Sequence, residues 1–149
     1  MSESGPGPAR LAWQQVVTMS VGAFYMVFGV VGFFFVRRNL DDAVTAQAPD
    51  SLLGIGLNGA QNFLHVLLGI VGLLMATKLR TARTYGAILA VLGVALFIFG
   101  AFAVGRPDLN FLDLNWPANV LHLVSALVGA AVAAVPLRDR DRESTAPPS

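Results

Sequence analysis

The chain has 149 residues, no cysteine and a formal net charge of +1; 55% of its residues are hydrophobic and 13% are charged. Its mean hydropathy of +0.65 is typical of membrane proteins rather than soluble ones. The small net charge argues against nucleic acid as a partner. The absence of cysteine excludes disulfides, thiol catalysis and thiolate metal sites.

Four windows contain no Asp, Glu, Lys or Arg, and each has about the 20 residues that a helix needs to cross a bilayer. They predict an all-α integral membrane four-helix bundle, with helices at about 11–36, 58–77, 84–104 and 117–137. The first window ends in FFFVRR without a small-residue cleavage site, so we expect helix 1 to remain in the mature protein. The polar tails, 1–10 and 138–149, are predicted to be disordered ends of a transmembrane domain over 11–137.

Basic residues predict the orientation of these helices. With both termini in the cytoplasm, seven Lys or Arg residues flank the inner ends and three flank the outer ends. The inner group is Arg10, Lys78, Arg80, Arg83, Arg138, Arg140 and Arg142, and the outer group is Arg37, Arg38 and Arg106. The positive-inside rule therefore predicts a multi-pass membrane protein with both termini cytoplasmic. Trp13, Trp116 and Tyr85 lie where helices would enter the membrane, as interfacial anchors do.

Helices 2 and 4 begin with related polar patterns, NGAQNFLH from residue 58 and NWPANVLH from residue 115. The spacing of four and three residues places the Asn and His side chains of each pattern on one helix face. Such side chains are costly in hydrocarbon unless they are paired, so they are expected to face protein or a wet cavity. The predicted intramembrane polar cluster consists of Asn58, Asn62, His65, Asn115, Asn119 and His122.

Small residues continue both polar faces and predict close helix packing, at Gly69, Gly72, Ala76, Ala126, Gly129 and Ala133. An offset of 57 residues relates helix 2 to helix 4, and an offset of 64 relates helix 1 to helix 3. The chain is thus predicted to consist of two tandem helical hairpins. If the two polar faces oppose each other, Gly72 and Gly129 are near neighbours across a close crossing.

Apolar segments lead into both polar patterns. The sequence PDSLLGIGL precedes the first, and Phe111, Leu112 and Leu114 precede the second. We expect these segments to lie on the membrane surface or to cap the helices.

The sequence resembles the family known as domain of unknown function 4383, a group of four-helix bacterial membrane proteins. The resemblance covers most of residues 16–137 and is carried by LLGIGLNGAQNFLHVLLGIVGLL, by the basic connection followed by TYG, and by NFLDLNWPANVLHLVSALVG. It implies the fold and a location in the bacterial cytoplasmic membrane, and no established activity. Family members often have Asn-Pro-Leu-His-Asn in the first pattern, whereas this chain has Gln61 in place of that histidine.

His65 and His122 support two interpretations. We expect each to hydrogen-bond to Asn62, Asn119 or a carbonyl group and so to hold the bundle together. The alternative is axial ligation of haem b by the two histidines. Two histidines without cysteine are too few ligands for a zinc site. Acidic residues of the loops could complete such a site, but they are more typical of a solvated loop surface. They are Asp41, Asp42, Asp50, Asp108 and Asp113.

The motifs exclude more functions than they indicate. The sequence contains no Gly-rich phosphate loop, no Ser/His/Asp arrangement and no paired carboxylates within the spans, so we expect no enzymatic activity and no cofactor. The best prediction is a structural or interaction role, as an accessory subunit with a membrane-protein partner or as a homo-oligomer. A haem-binding redox accessory protein is the alternative. A small transporter comes third, because no span carries a carboxylate.

Overall fold

The computed structural model describes residues 11–36 and 51–134. Within these ranges lie four α-helices: α1 (Trp13–Phe35), α2 (Gly59–Met75), α3 (Leu79–Ala103) and α4 (Trp116–Ala134). Two short strands, β1 (Ser51–Leu52) and β2 (Ile55–Gly56), pair antiparallel before α2. The two tails predicted to be disordered, the loop residues 37–50 and the predicted end of the fourth helix at 135–137 lie outside the described residues.

The predicted mostly helical architecture with four helices is confirmed. Three helices, α1, α3 and α4, are long and apolar enough to cross a membrane, and α2 is shorter at 17 residues. The β1–β2 hairpin was not predicted. Its turn consists of Leu53 and Gly54, whose φ angles of 55° and 79° are both left-handed, as a two-residue hairpin turn requires. A left-handed leucine is uncommon, which explains why the sequence does not signal this turn.

Helix α3 begins at Leu79, earlier than predicted, because the basic connection forms its first turns. Lys78 is the N-cap residue, and the Thr81 hydroxyl donates to the Lys78 carbonyl oxygen at 2.9 Å. Tyr85 consequently lies inside the bundle with 1% of its surface exposed, and its hydroxyl donates to the Leu68 carbonyl oxygen at 3.2 Å. The prediction that Tyr85 is an interfacial anchor is wrong. Trp13 and Trp116 are exposed first residues of their helices.

The helices pack as two antiparallel pairs, α1 with α2 and α3 with α4, through facing glycines. A Cβ atom at Gly22 would lie 3.0 Å from the Gly69 carbonyl oxygen, and one at Gly86 would lie 2.8 Å from the Gly129 carbonyl oxygen. The backbones therefore touch within each pair. The predicted crossing of Gly72 with Gly129 is wrong, because within the described residues no Cα atom of α2 is within 8 Å of one in α4. Each glycine packs against the preceding helix of its own hairpin instead.

Side chains of the preceding helix also cap the C-terminal ends of α2 and α4. The Gln15 side-chain amide donates to the carbonyl oxygens of Ala76 and Thr77, both at 3.1 Å. The Arg83 guanidinium donates to the Ala133 carbonyl oxygen through Nε at 3.1 Å and Nη2 at 2.6 Å. The last carbonyls of a helix have no partner within the helix, so the Gln15 side chain satisfies groups at the end of α2 that the helix itself leaves unpaired.

The core lies between the two pairs, and apolar side chains also cover the outside. Tyr25, Tyr85 and Leu89 form the central buried cluster. Large aliphatic side chains on all four helices are more than half exposed, including Val27, Leu74, Val91, Val120 and Leu127. An apolar surface of this extent is unusual in a soluble monomer and suits a lipid environment.

Candidate functional site

The six predicted cluster residues do not form one cluster; they lie at three levels. The first level is the end of the bundle at which α2 and α4 begin, here called the loop end. Asn58 and Asn115 are the N-cap residues there, and their side-chain oxygens accept from the backbone N–H groups of Gln61 at 2.8 Å and Ala118 at 3.0 Å. This is the usual role of asparagine at the start of a helix.

The same two asparagines join the loops of the two hairpins. The Asn58 amide donates to the Phe111 carbonyl oxygen at 2.8 Å, and the Asn115 amide donates to the Gly54 carbonyl oxygen at 2.8 Å. The two donors, Asn58 and Asn115, are 57 residues apart, and so are the two acceptors, Gly54 and Phe111. The two bonds are therefore reciprocal, and each helix start is fixed to the loop that precedes the other helix.

The second level contains Asn62 and Asn119, both completely buried. Each amide packs against a glycine of the preceding helix: a Cβ atom at Gly32 would lie 2.7 Å from Cγ of Asn62, and one at Gly100 would lie 2.8 Å from Cγ of Asn119. The side-chain oxygen and nitrogen of both asparagines have no hydrogen-bond partner among the described residues. Close packing against glycine, rather than hydrogen bonding, therefore fixes these two side chains.

The third level contains His65 and His122, which are 5% and 3% exposed. The His65 ring packs against Tyr25 and Phe28, with ring centroids 5.2 Å and 5.3 Å apart. In the described part of the chain, Nδ1 of either histidine has no hydrogen-bond partner. The expected hydrogen bonds from these histidines to Asn62 and Asn119 are therefore absent, because the asparagines point into the glycine contacts. That prediction was wrong.

A cavity of about 390 Å³ brings the two histidines together, although their helices do not touch. It lies between α2 and α3, extends to α1 and α4, and its wall is almost entirely apolar. Its volume is at the lower end of the range of small-molecule sites, about 300–1,000 Å³. The lining residues with polar groups are Tyr25, Gln61, His65, His122 and Ser125.

Gln61, Tyr25 and Ser125 are members of this site that sequence reasoning missed. Gln61 is 3% exposed, and neither atom of its amide group has a partner within the described ranges. The hydroxyl groups of Tyr25 and Ser125 share a hydrogen bond of 2.5 Å that links α1 to α4. Helical spacing was the available signal, since Gln61 lies four residues before His65 and Ser125 three residues after His122.

The small residues predicted for packing serve several contacts. Gly69, Gly72 and Gly129 lie at the helix crossings, with Gly72 beneath the Tyr85 ring. Ala126 is buried against Gly93, where a Cβ atom would lie 2.8 Å from the Ala126 backbone nitrogen. Ala76 is the C-cap residue of α2 and accepts from Gln15, and Ala133, in the last described turn of α4, accepts from Arg83.

His65 and His122 are the candidate ligands of a haem group. Within the described ranges there is no group of three His, Asp or Glu residues that would hold a metal ion. A histidine that ligates a metal normally donates its other ring N–H group to an acceptor, and here both Nδ1 atoms lack one in the described part of the chain. The residues present therefore fit haem poorly.

Fold and site together define a helical protein that suits a membrane, with a mostly apolar internal cavity and unpaired polar side chains in its wall. The chain belongs to the family described as domain of unknown function 4383 (DUF4383), which matches residues 15–135. This confirms the resemblance found from the sequence. No curated protein and no solved structure matches the chain.

Proposed function

We propose that this protein is a non-enzymatic accessory protein of the bacterial cytoplasmic membrane that binds a small ligand in the cavity between its two hairpins. The observation that carries the proposal is the state of Gln61, His65 and His122. All three are at most 5% exposed and line one cavity, and each has side-chain atoms without a partner among the described residues.

Unpaired buried polar side chains that also line a cavity favour binding over a purely structural role. Polar side chains that hold helices together in a membrane do so by hydrogen-bonding to each other, and these three do not. Leaving such a group unsatisfied costs about 1–3 kcal/mol, so a bound molecule that pairs with it gains affinity. Within the described residues, Gln61, His65 and His122 all line the cavity, and their unpaired atoms are themselves buried in its wall.

The membrane placement has support from packing as well as composition. Helix α2 lies antiparallel to α1 along its length, from Gly32 against Asn62 to Gln15 against Ala76. If α1 crosses the bilayer, α2 crosses with it, which gives four spans. The reciprocal Asn58 and Asn115 bonds support two tandem hairpins related by a pseudo-two-fold axis.

The proposed binding site predicts a specific effect of Gln61→Leu. We expect this variant to lose most of any small molecule that co-purifies with the wild-type protein in mild detergent, because the amide that pairs with it is gone. The measurement is native mass spectrometry of the purified protein, followed by identification of the released molecule.

Gln14→Leu is the matched control for this experiment. Gln14 is 1% exposed and has an unpaired side-chain oxygen in the described part of the chain, but it does not line the cavity. Equal ligand retention in both variants would contradict the proposal. An absorbance spectrum with a Soret band, lost in His65→Leu and His122→Leu, would favour the haem alternative instead.

The proposed orientation is tested by reporter fusions. A reporter enzyme that is active only in the cytoplasm should give signal when fused after Ser149 and none when fused after Asp50, because seven of the ten Lys and Arg residues are predicted to flank the inner ends of the helices. The reverse pattern would contradict cytoplasmic termini and would leave the packing of the helices unaffected.

A further inference from the structure

We infer that the ligand of this cavity is an uncharged single-chain lipid, with a carbonyl or hydroxyl oxygen on a small head group, that enters sideways from the bilayer between α2 and α3. The inference rests on the proposed binding function and adds the chemical class and the route.

The charge of the cavity wall sets the charge of the ligand. Among the described residues that line the cavity there is no Asp, Glu, Lys or Arg, and the wall is almost entirely apolar. A charged head group placed there would lose its hydration and gain no ionic partner, which is strongly unfavourable in an apolar medium. An uncharged molecule avoids this cost.

The exposed edge of the cavity indicates the route. Leu64 and Leu67 on α2 and Ile88 and Leu92 on α3 line the cavity, yet 39–47% of the surface of each is exposed. These four residues border an opening on the outward, apolar surface of the bundle. At the loop end, the buried side chains of Leu112 and Leu114 close the cavity. A molecule dissolved in the bilayer therefore reaches the cavity directly, whereas Leu112 and Leu114 block a molecule that approaches from water at the loop end.

The polar side chains match a small head group. Gln61 and His65 lie one turn apart on the same face of α2, with Cβ atoms about 5–6 Å apart in a regular helix. The Gln61 amide supplies both a donor and an acceptor, and each imidazole supplies one or the other at either nitrogen. Both polar atoms of the Gln61 amide are buried in the cavity wall, so the side chain must turn toward the cavity to pair with an oxygen atom of the ligand. The volume of about 390 Å³ leaves space for the first part of a single chain.

The test is a titration of the wild-type protein in nanodiscs with three probes of similar chain length: decylubiquinone for a carbonyl head, a long-chain alcohol for a hydroxyl head, and a fatty-acid anion as the charged comparison. We expect at least one neutral probe to bind at least tenfold more tightly than the anion. We also expect Gln61→Leu to weaken this binding at least tenfold, and Gln14→Leu to leave it unchanged.

The route is tested by Leu92→Trp, with Leu127→Trp as its control, because Leu127 is exposed to the same lipid but does not line the cavity. Narrowing the opening should slow association of the neutral probe at least tenfold in the first variant only. Equal association rates in the two variants would overturn lateral entry.

The outcomes separate the ligand class from the proposed function. If the anion or a water-soluble molecule binds best and Gln61→Leu abolishes that binding, the ligand class is wrong and the binding function stands. If no probe binds, no molecule co-purifies and the two glutamine variants behave alike, the cavity holds water only and both proposals fail.

Discussion

Gly129→Ala is expected to destabilise the protein more than any other single-methyl change in α4. A Cβ atom at this position would lie 2.5 Å from the Gly86 carbonyl oxygen and 2.6 Å from the Ala90 backbone nitrogen. Both neighbours are backbone atoms, so no side-chain rotation relieves the contact and α3 must move away from α4. Overpacking of this kind typically costs about 1–3 kcal/mol. The measurement is the unfolding midpoint in mixed micelles, followed by circular dichroism.

Gly59→Ala is the matched control, since a Cβ atom at Gly59 has no neighbour within 4 Å. Alanine is about 1 kcal/mol more favourable than glycine inside a helix, so intrinsic helix propensity works against the predicted loss at Gly129. A lower midpoint for Gly129→Ala with an unchanged or higher midpoint for Gly59→Ala isolates the effect of the helix contact. Equal midpoints would show that α3 and α4 adjust freely.

The helices were predictable because hydrophobic windows are local properties. The windows located all four helices. Asn58 and Asn115 were assigned to an intramembrane polar cluster, whereas in the structure they cap the starts of their helices. The boundary of α3 was less accurate, because positive charge in a connection does not by itself prevent helix formation. Tyr85 was misplaced for the same reason.

The packing register of the hairpins was not predictable from the repeat. Sequence aligns Asn62 with Asn119, yet a Cβ atom at Gly29 would meet the carbonyl oxygen of Asn62, whereas one at Gly93 would meet that of His122. The second hairpin is therefore displaced by about one turn. The positions of the glycines on α1 and α3 account for this: the residue that repeats Gly32 is Leu96, and the glycine that receives Asn119 comes one turn later, at Gly100.

This displacement affects the candidate site. Sequence reasoning predicted a close crossing of Gly72 with Gly129 on the condition that the polar faces of α2 and α4 oppose each other. In the structure the partners of α2 and α4 are the preceding helices, and the space left between the hairpins is the cavity. Local spacing identified the histidines as residues that face protein. The distance between the hairpins, which makes both histidines line the cavity, depends on long-range packing.

Replacing Asn58 and Asn115 together by aspartate is expected to open the loop end of the cavity. Aspartate keeps the oxygen that caps each helix, but it has no N–H group to donate to the carbonyl oxygens of Phe111 and Gly54. Each lost hydrogen bond costs about 0.5–1.5 kcal/mol, and a carboxylate then faces a carbonyl oxygen. Because the two bonds join the same pair of loops, loss of both should separate the loops and carry Leu112 and Leu114 away from the cavity.

The measurement uses the absence of native cysteine. With Leu96→Cys as a reporter in the cavity wall, a membrane-impermeant maleimide should label the double aspartate variant at least tenfold faster than the parent, since water reaches the cavity from the loop end. Asn110→Asp is the control: it removes an amide donor to the Leu114 carbonyl oxygen at 2.7 Å within one loop and leaves both bonds between the loops intact. If the cysteine at position 96 is equally protected from the maleimide in all three backgrounds, the two asparagines serve only to cap their helices. The close approach of Gly56 to Asp113 would then be sufficient to hold the loops together.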